Sequence, residues 1–149
     1  MRIVIAGGTG FLGSELVKQL HQDKIVILTR DPQHARHLSS LNHVEIIRWD
    51  STQVGNWCDQ LNNLPSIDAV INLCGESIGG TGLIPKKWDA DTKNKIRNSR
   101  ILSSQVLSQW LAKSPHKPKV FIQQSGIDFY PCNSDRALDE SAPAGTSFL

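Results

Sequence analysis

The sequence predicts an α/β domain built on a doubly wound parallel sheet, and three observations support this fold class. Short apolar runs alternate with segments of helical period along most of the chain. The apolar runs are rich in β-branched residues and carry few polar positions, which is typical of parallel strands that are buried on both faces. A glycine-rich stretch, GGTGFLG, directly follows the first apolar run and opens the first helical segment.

Five segments are predicted to be strands, with helices between them. Right-handed crossovers between parallel strands place those helices on both faces of the sheet. We expect the strand order 3-2-1-4-5, which leaves the fifth strand at an edge, and loop structure after Gly126. The predicted strands are Ile3–Ala6, Lys24–Thr29, His43–Trp49, Asp68–Cys74 and Lys119–Ser125.

Helical period marks the connecting segments. Leu12, Leu16 and Leu20 recur on one face of a helix predicted from Phe11 to Gln22. Asp31 is predicted to cap a helix that begins at Pro32. A short helix is expected around Trp57, Leu61 and Leu64. A long helix is expected over Trp88–Lys113, with Leu102, Val106 and Trp110 on one stripe. The four tryptophans are expected to have packing roles: Trp49, Trp57, Trp88 and Trp110.

Length and composition restrict the function classes. A chain of 149 residues fits one domain, 1–149, and a net charge of +2 does not favour nucleic acid or an anionic membrane as a partner. No apolar run approaches the roughly 18 residues that a membrane span needs, and the start does not resemble a signal peptide, so we expect a cytoplasmic protein. The cysteines Cys58, Cys74 and Cys132 are too dispersed to predict a disulfide framework or a metal site.

The glycine-rich stretch predicts a dinucleotide-binding loop. It holds Gly7, Gly10 and Gly13 at three-residue intervals, between a predicted strand and a predicted helix. Glycine lets the chain turn sharply out of the strand, lets the backbone approach a pyrophosphate, and lets the helix pack closely. The pyrophosphate then meets the N–H groups at the positive end of the helix. Thr9, Phe11 and Leu12 complete the candidate cofactor-binding residues of this loop.

The end of the second strand indicates which dinucleotide is bound. NAD sites usually place an acidic residue there, to bind the ribose hydroxyls. This strand ends instead in Thr29 and Arg30, and a guanidinium matches a 2′-phosphate with two charge-assisted hydrogen bonds. Asp31 could serve as the acidic residue of an NAD site, but capping the next helix is its simpler role. We therefore favour NADP over NAD as the cofactor.

Several segments together resemble a known family. They are IVIAGGTGFLGSEL, ILTRDP, AVINLCGESI, KKWDADTKNKIRNSR and LDESAPAGTSFL. In this order they are similar to a group of atypical extended short-chain dehydrogenases within the NAD-dependent epimerase family, the nucleoside-diphosphate-sugar epimerase-like or cell-division-inhibitor-like proteins. The resemblance covers essentially the whole chain and implies a Rossmann fold that binds NADP(H).

The resemblance also implies roles for individual residues. It places Gly7, Gly10 and Gly13 at the pyrophosphate and Arg30 at the 2′-phosphate. Ser125 falls where these dehydrogenases carry the serine that hydrogen-bonds the reacting oxygen. It further implies that Asp50 lies beside the adenine and that Leu73, Cys74 and Gly75 lie along the ribose nearest the nicotinamide.

Two departures from the family pattern concern catalysis. After the serine, this chain reads SGIDFYP where the family tends to read SAxGYYG, so the loop at Asp128 and Pro131 is expected to differ in shape. The family also continues for about as many residues again, which supply a substrate lobe and usually the catalytic Tyr and Lys. Tyr130 is a catalytic candidate beside Ser125, although its spacing does not match and no YxxxK is present. We expect the chain alone to be inactive.

Two functions remain open at this stage. The first is an NADP(H)-dependent epimerase or oxidoreductase acting on a nucleotide-sugar or another small carbonyl or alcohol substrate. The second is a catalytically inactive dinucleotide-binding regulator or scaffold. Two further expectations concern packing: the fifth strand, with Val120, Phe121 and Ile122 in succession, favours cover by the tail or a homodimer, and Arg100 is a candidate intramolecular anchor.

Overall fold

A computed structural model describes residues 1–79, 87–126, 129–131 and 137–148 of the chain. Five strands form one parallel sheet in the order β3-β2-β1-β4-β5, which confirms the predicted order and the doubly wound fold. The predicted strands are confirmed with small differences at their ends. The strands are β1 (Arg2–Ala6), β2 (Lys24–Thr29), β3 (Val44–Arg48), β4 (Ala69–Asn72) and β5 (Val120–Gln123), and the helices are α1 (Phe11–Gln19), α2 (Arg36–Ser39), α3 (Asn56–Asn62) and α4 (Ala90–Lys113).

The side chains of the central strands alternate between two hydrophobic clusters, one on each face of the sheet. In β1, Ile3 and Ile5 join the cluster that includes Val17 of α1. Val4 and Ala6 point to the opposite face and join the cluster that α3 and α4 cover. Because both faces are buried, the strands are apolar at every position rather than at every second one. This is why the sequence showed continuous apolar runs.

The predicted apolar face of α1 is displaced in the structure. Val17 is fully buried, while Leu16 and Leu20 pack partly against the same cluster. Leu12, in the first turn of the helix that begins at Phe11, is instead 55% exposed. The leucine repeat therefore lies beside the buried stripe rather than at its centre.

The predicted start of the second helix, at Pro32, is wrong. Asp31 Oδ1 accepts hydrogen bonds from the backbone N–H groups of Gln33 at 2.9 Å and His34 at 3.3 Å. These bonds stabilise a turn, and the helix itself spans only Arg36–Ser39. Asp31 thus caps a turn that precedes the helix, since an aspartate side chain bonds readily to N–H groups two and three residues ahead of it.

Three of the four tryptophans pack in the core, as predicted. Trp57 lies edge-on to Trp49, with ring centroids 5.5 Å apart, and 6.0 Å from Trp110. All three are at most 4% exposed. Trp88 is different: it is 37% exposed, and its ring contacts Phe148 with centroids 5.9 Å apart.

The long helix α4 begins later than predicted. Asp89 is its N-cap and accepts a hydrogen bond from the backbone N–H of Thr92 at 2.8 Å, so the helix starts at Ala90 rather than at Trp88. One face of α4 packs on the sheet through Ile96, Val106 and Leu107. Within the described ranges, no helix is both long and apolar enough to cross a bilayer.

The fifth strand is incompletely covered. Val120 is 45% exposed and Ile122 is 48% exposed, although β5 is apolar at three of its four positions. The described part of the tail packs elsewhere: Phe148 contacts Lys93 and Arg97 at the start of α4, at 5.3 and 5.8 Å from the ring centroid. Cover of β5 by the tail, one of the arrangements expected from the sequence, is therefore not what the described residues form.

Candidate functional site

A cleft of about 760 Å³ opens at the carboxyl ends of the central strands. In doubly wound sheets this edge is where ligands bind, since the loops there diverge where the strand order reverses. The cleft lies within the range of volumes found for small-molecule and cofactor sites. Its lining residues are Gly7, Thr9, Gly10, Leu28, Thr29, Arg30, Asp31, His34, Trp49, Ser51, Thr52, Leu73, Cys74, Gly75, Glu76, Lys95, Asn98, Ser99 and Leu102.

The glycine loop lines the cleft and is held by close backbone contacts. Gly7 has a φ of 81°, a left-handed conformation that glycine adopts without strain. A Cβ on Gly13 would lie 2.3 Å from the carbonyl oxygen of Gly7, so only glycine allows α1 to approach the loop. The backbone N–H of Gly10 donates to the same oxygen at 3.0 Å and fixes the turn. The packing reason for this glycine pattern is therefore confirmed.

The first turn of α1 presents backbone rather than side chains to the cleft. Gly10 is the N-cap and has no side chain that could bond the free N–H groups. Phe11 is 92% exposed and Leu12 is 55% exposed, and neither side chain lines the cleft. Only their N–H groups could contact an anion there, which is the usual way in which helix N-termini bind phosphate.

The end of β2 brings Arg30 into the lining of the cleft. The residue before it, Thr29, is buried, and its hydroxyl accepts a hydrogen bond from the N–H of Asp31 at 3.2 Å. Arg30 itself is exposed and lines the cleft. His34, which was not among the predicted ligands, also lines the cleft because the turn after Asp31 folds back.

Asp50 lies beside the cleft rather than in its wall. Its carboxylate accepts hydrogen bonds from the backbone N–H of Thr52 at 2.8 Å, the Thr52 hydroxyl at 2.5 Å and the Gln53 side chain at 3.1 Å. Those bonds, from the Thr52 hydroxyl first, lower the pKa of Asp50. Its neighbours Ser51 and Thr52 do line the cleft. The carboxylate therefore shapes this turn, and its proximity to an adenine stays a prediction.

The end of β4 is held by a buried amide. Asn72 is fully buried, and its Nδ2 donates to Ser103 Oγ at 3.2 Å and to Gln123 Oε1 at 2.8 Å. Its Oδ1 accepts the backbone N–H of Cys74 at 3.1 Å. These bonds tie β4 to β5 and α4 and fix the backbone where Leu73 lines the cleft. One polar residue in the apolar run AVINLC is the sequence signal that could have identified this network.

Helix α4 holds the next residues of the same segment. Ser99 Oγ accepts the backbone N–H of Glu76 at 2.8 Å. Arg100 donates to the carbonyl oxygens of Glu76 at 3.2 Å and Ile96 at 3.0 Å. A Cβ on Gly75 would lie 3.0 Å from the guanidinium carbon of Arg100, so this glycine makes room for the contact. The expectation that Arg100 is an intramolecular anchor is confirmed.

Lys95 and Asn98 extend the α4 wall of the cleft. Both line the cavity, although neither was among the candidate residues predicted from the sequence. The signal is positional, since both lie on the same face of α4 as Ser99, which also lines the cleft. The lysine adds a positive charge to the lining of the cleft.

Cys74 behaves as a packing residue. Burial raises the pKa of its thiol to about 11, and the positive charge of Arg30 acts in the opposite direction with a smaller effect. A thiol with so high a pKa is protonated at neutral pH and is a poor nucleophile. Cys74 is therefore a small, partly buried residue in the lining of the cleft.

The structure does not bring the two catalytic candidates into the cleft wall. Ser125 follows β5 directly and is exposed, but it is not among the described lining residues. Tyr130 is half-buried and packs against Phe129, with ring centroids 5.3 Å apart. Their catalytic roles stay predictions. Asp128, where the chain departs from the family pattern, lies outside the described residues.

Comparison with known proteins identifies the family. The NAD dependent epimerase/dehydratase family matches residues 3–147 of this chain. The chain belongs to this family. Curated family members that it resembles include the epimerase family protein SDR39U1 of Homo sapiens, 29% identical over 148 residues, and the epimerase family protein YfhF of Bacillus subtilis, 33% identical over 154 residues.

The chain spans less than half the length of these relatives. The two alignments cover 97% and 100% of this chain but 43% and 46% of the respective relatives. The crystal structure of human SDR39U1 (isoform 2) with NADPH superposes with a TM-score of 0.72 at 26% identity, over 99% of this chain and 44% of that one. A UDP-glucuronic acid 4-epimerase from Bacillus cereus superposes with a TM-score of 0.74 at 21% identity, over 99% and 47%, which shows a shared fold.

Proposed function

We propose that this chain is the NADP(H)-binding part of an epimerase- or oxidoreductase-like enzyme. The observation that carries the proposal is the position of Arg30 in a cleft that the glycine loop also lines. The loop supplies uncapped helix N–H groups for a pyrophosphate, and the guanidinium supplies paired donors for a 2′-phosphate. Human SDR39U1, whose crystal structure contains NADPH, supports the same cofactor.

The arrangement around Asp31 favours NADP over NAD. An NAD site needs a carboxylate that is available to the ribose hydroxyls. Here Oδ1 of Asp31 already accepts two backbone hydrogen bonds from the following turn. The neighbouring Arg30 is exposed on the cleft wall, where it can reach a phosphate. The local charge at the end of β2 therefore suits an anion better than a diol.

Calorimetric titration of the purified chain with NADPH and with NADH tests this proposal. We expect NADPH to bind about tenfold more tightly, the effect of one charge-assisted contact of about 1.4 kcal/mol. Arg30→Ala should remove most of that preference and leave NADH binding unchanged. Lys24→Ala is the matched control, because Lys24 is an exposed cation at the opposite end of the same strand. Equal affinity for the two cofactors in the unmutated chain would overturn the NADP assignment.

For the whole protein we infer a reaction on a small carbonyl or alcohol substrate. A bound nicotinamide supplies hydride transfer, and this chain contributes the cofactor cleft and a serine at the end of β5. Since Ser125 lies outside the described cleft wall, we expect the chain alone to show no turnover. Loss of NADPH absorbance with a panel of ketones and nucleotide-sugars measures this. Turnover by the isolated chain would show that the active site is complete without further residues.

A further inference from the structure

His34 lines the same cleft as Arg30. The backbone N–H of His34 donates to Asp31 Oδ1 at 3.3 Å, and the N–H of Ala35 donates to the carbonyl oxygen of Pro32 at 3.2 Å. These two bonds close a turn directly after the end of β2. Through this turn His34 and Arg30, four positions apart in the chain, both line the cleft.

A second histidine nearby provides an internal reference. His37 lies in α2, is exposed like His34, and its Nδ1 is 3.2 Å from the carbonyl oxygen of His34. It does not line the described cleft wall. The two histidines therefore share a segment and a solvent exposure but differ in access to the cleft. The other titratable or charged groups lining the cleft are Arg30, Asp31, Cys74, Glu76 and Lys95.

We propose that His34 binds the same phosphate monoester as Arg30 and makes the preference for the phosphorylated cofactor dependent on pH. The inference rests on the proposed function, since the phosphate is the 2′-phosphate of NADP(H). Histidine changes charge between about pH 5 and 8, and the protonated ring offers a second cation and an additional N–H donor. The contribution of His34 to phosphate binding therefore rises as the pH falls.

The phosphate itself titrates in the same range and acts in the opposite direction. A phosphate monoester takes up a proton near about pH 6, which weakens its attraction to any cation. Total affinity is for this reason an unsuitable measure. The quotient of the unmutated and His34→Gln affinities, taken at each pH for one ligand, removes the contribution of Arg30 and its dependence on the phosphate charge. It retains only the part of the affinity that His34 contributes.

Adenosine 2′,5′-bisphosphate and adenosine 5′-monophosphate are the probes, since they differ only in the 2′-phosphate. Calorimetry at about pH 5.5 and about pH 8 spans the titration range of histidine. For the bisphosphate we expect a quotient of about fivefold at the lower pH and close to one at the higher pH, as suits a solvent-exposed ion pair. For the monophosphate, and for His37→Gln with either ligand, we expect a quotient near one at both pH values.

The outcomes separate this inference from the proposed function. A quotient for His34→Gln that does not change with pH, together with bisphosphate binding that Arg30→Ala weakens, would overturn the role of His34 and leave the NADP site standing. An equal pH-dependent quotient for His37→Gln would assign the effect to the general charge of the segment and also overturn it. A chain that binds neither the bisphosphate nor NADPH would overturn both proposals.

Discussion

The two sides of the sheet differ in how completely they are built. The side with β1, β2 and β3 is covered on both faces, and residues that follow these strands line the cleft. The side with β5 leaves Val120 and Ile122 about half exposed. Among the described residues, those lining the cleft come from the β1, β2, β3 and β4 ends and from α4, and none comes from β5 or the tail.

This difference separates the two parts of the proposed site. The glycine turn and the side chains on which the proposed cofactor binding rests follow the first four strands or lie on α4. Ser125, the predicted catalytic serine, follows the open fifth strand. The chain covers less than half the length of its relatives. The predicted catalytic part therefore lies on the less covered side of the sheet.

The largest expected effect is on the free energy of unfolding, through the packing of α1 on the glycine loop. Gly13→Ala places a Cβ 2.3 Å from the carbonyl oxygen of Gly7, and backbone there has to shift. We expect the free energy of unfolding to fall by about 3 kcal/mol, near the upper end for overpacking. Urea denaturation measures it, and Gly79→Ala, with nothing within 4 Å of the added Cβ, is the control. Similar stability for the two variants would contradict the close packing of α1 on the loop.

The next effect separates binding from folding at the same loop. A Cβ on Gly10 would be 3.3 Å from the carbonyl oxygen of Gly7, a tolerable contact, but a larger side chain would occupy the space of a pyrophosphate. We expect Gly10→Val to weaken NADPH binding by about 30-fold or more, the effect of losing a contact of about 2 kcal/mol. The circular dichroism spectrum should stay close to that of the unmutated chain. If Gly10→Val bound NADPH with unchanged affinity, the loop would be a structural turn and not a pyrophosphate site.

A smaller effect concerns the thiol on the cleft wall. Because burial raises the pKa of Cys74 to about 11, its reactive thiolate is scarce at neutral pH and increases as the pH approaches that value. At about pH 8 we expect alkylation by iodoacetamide to be about tenfold slower than for an unburied peptide thiol. Peptide mass spectrometry resolves the site. Arg30→Ala should slow the alkylation of Cys74 further, since the guanidinium favours the thiolate. A faster reaction in that variant would contradict this effect of Arg30 on the thiol.

The smallest expected effect is on association through the open edge. Uncharged, exposed strand edges tend to pair with other chains. We expect the average mass by light scattering to rise with concentration by at most about twofold, the value for a dimer. Ile122→Lys should abolish the rise, whereas Glu45→Lys on the opposite edge strand should not. Removal of residues 126–149 should leave the rise in place, because the described tail packs on α4. A monomer at all concentrations would contradict pairing through β5.

Local rules determined much of the fold in the sequence itself. Apolar runs such as KIVILT and AVINLC are buried on both faces, so their burial needs no knowledge of their partners. The glycine spacing likewise follows from contacts within a few residues, as the Gly7–Gly13 approach shows. Strand order followed because right-handed crossovers leave few arrangements for five such strands.

Contacts between distant segments were decided only by the tertiary structure. His34 and Lys95 line the cleft through a turn and a helix face whose orientations depend on packing, and Asn72 finds its partners 31 and 51 positions away. Leu12 is exposed although it shares the helical period of Leu16 and Leu20, because periodicity alone does not encode which elements cover a face. A pattern along the chain specifies which side chains share a face, but the neighbours of that face are set by the other elements, because packing is a property of pairs.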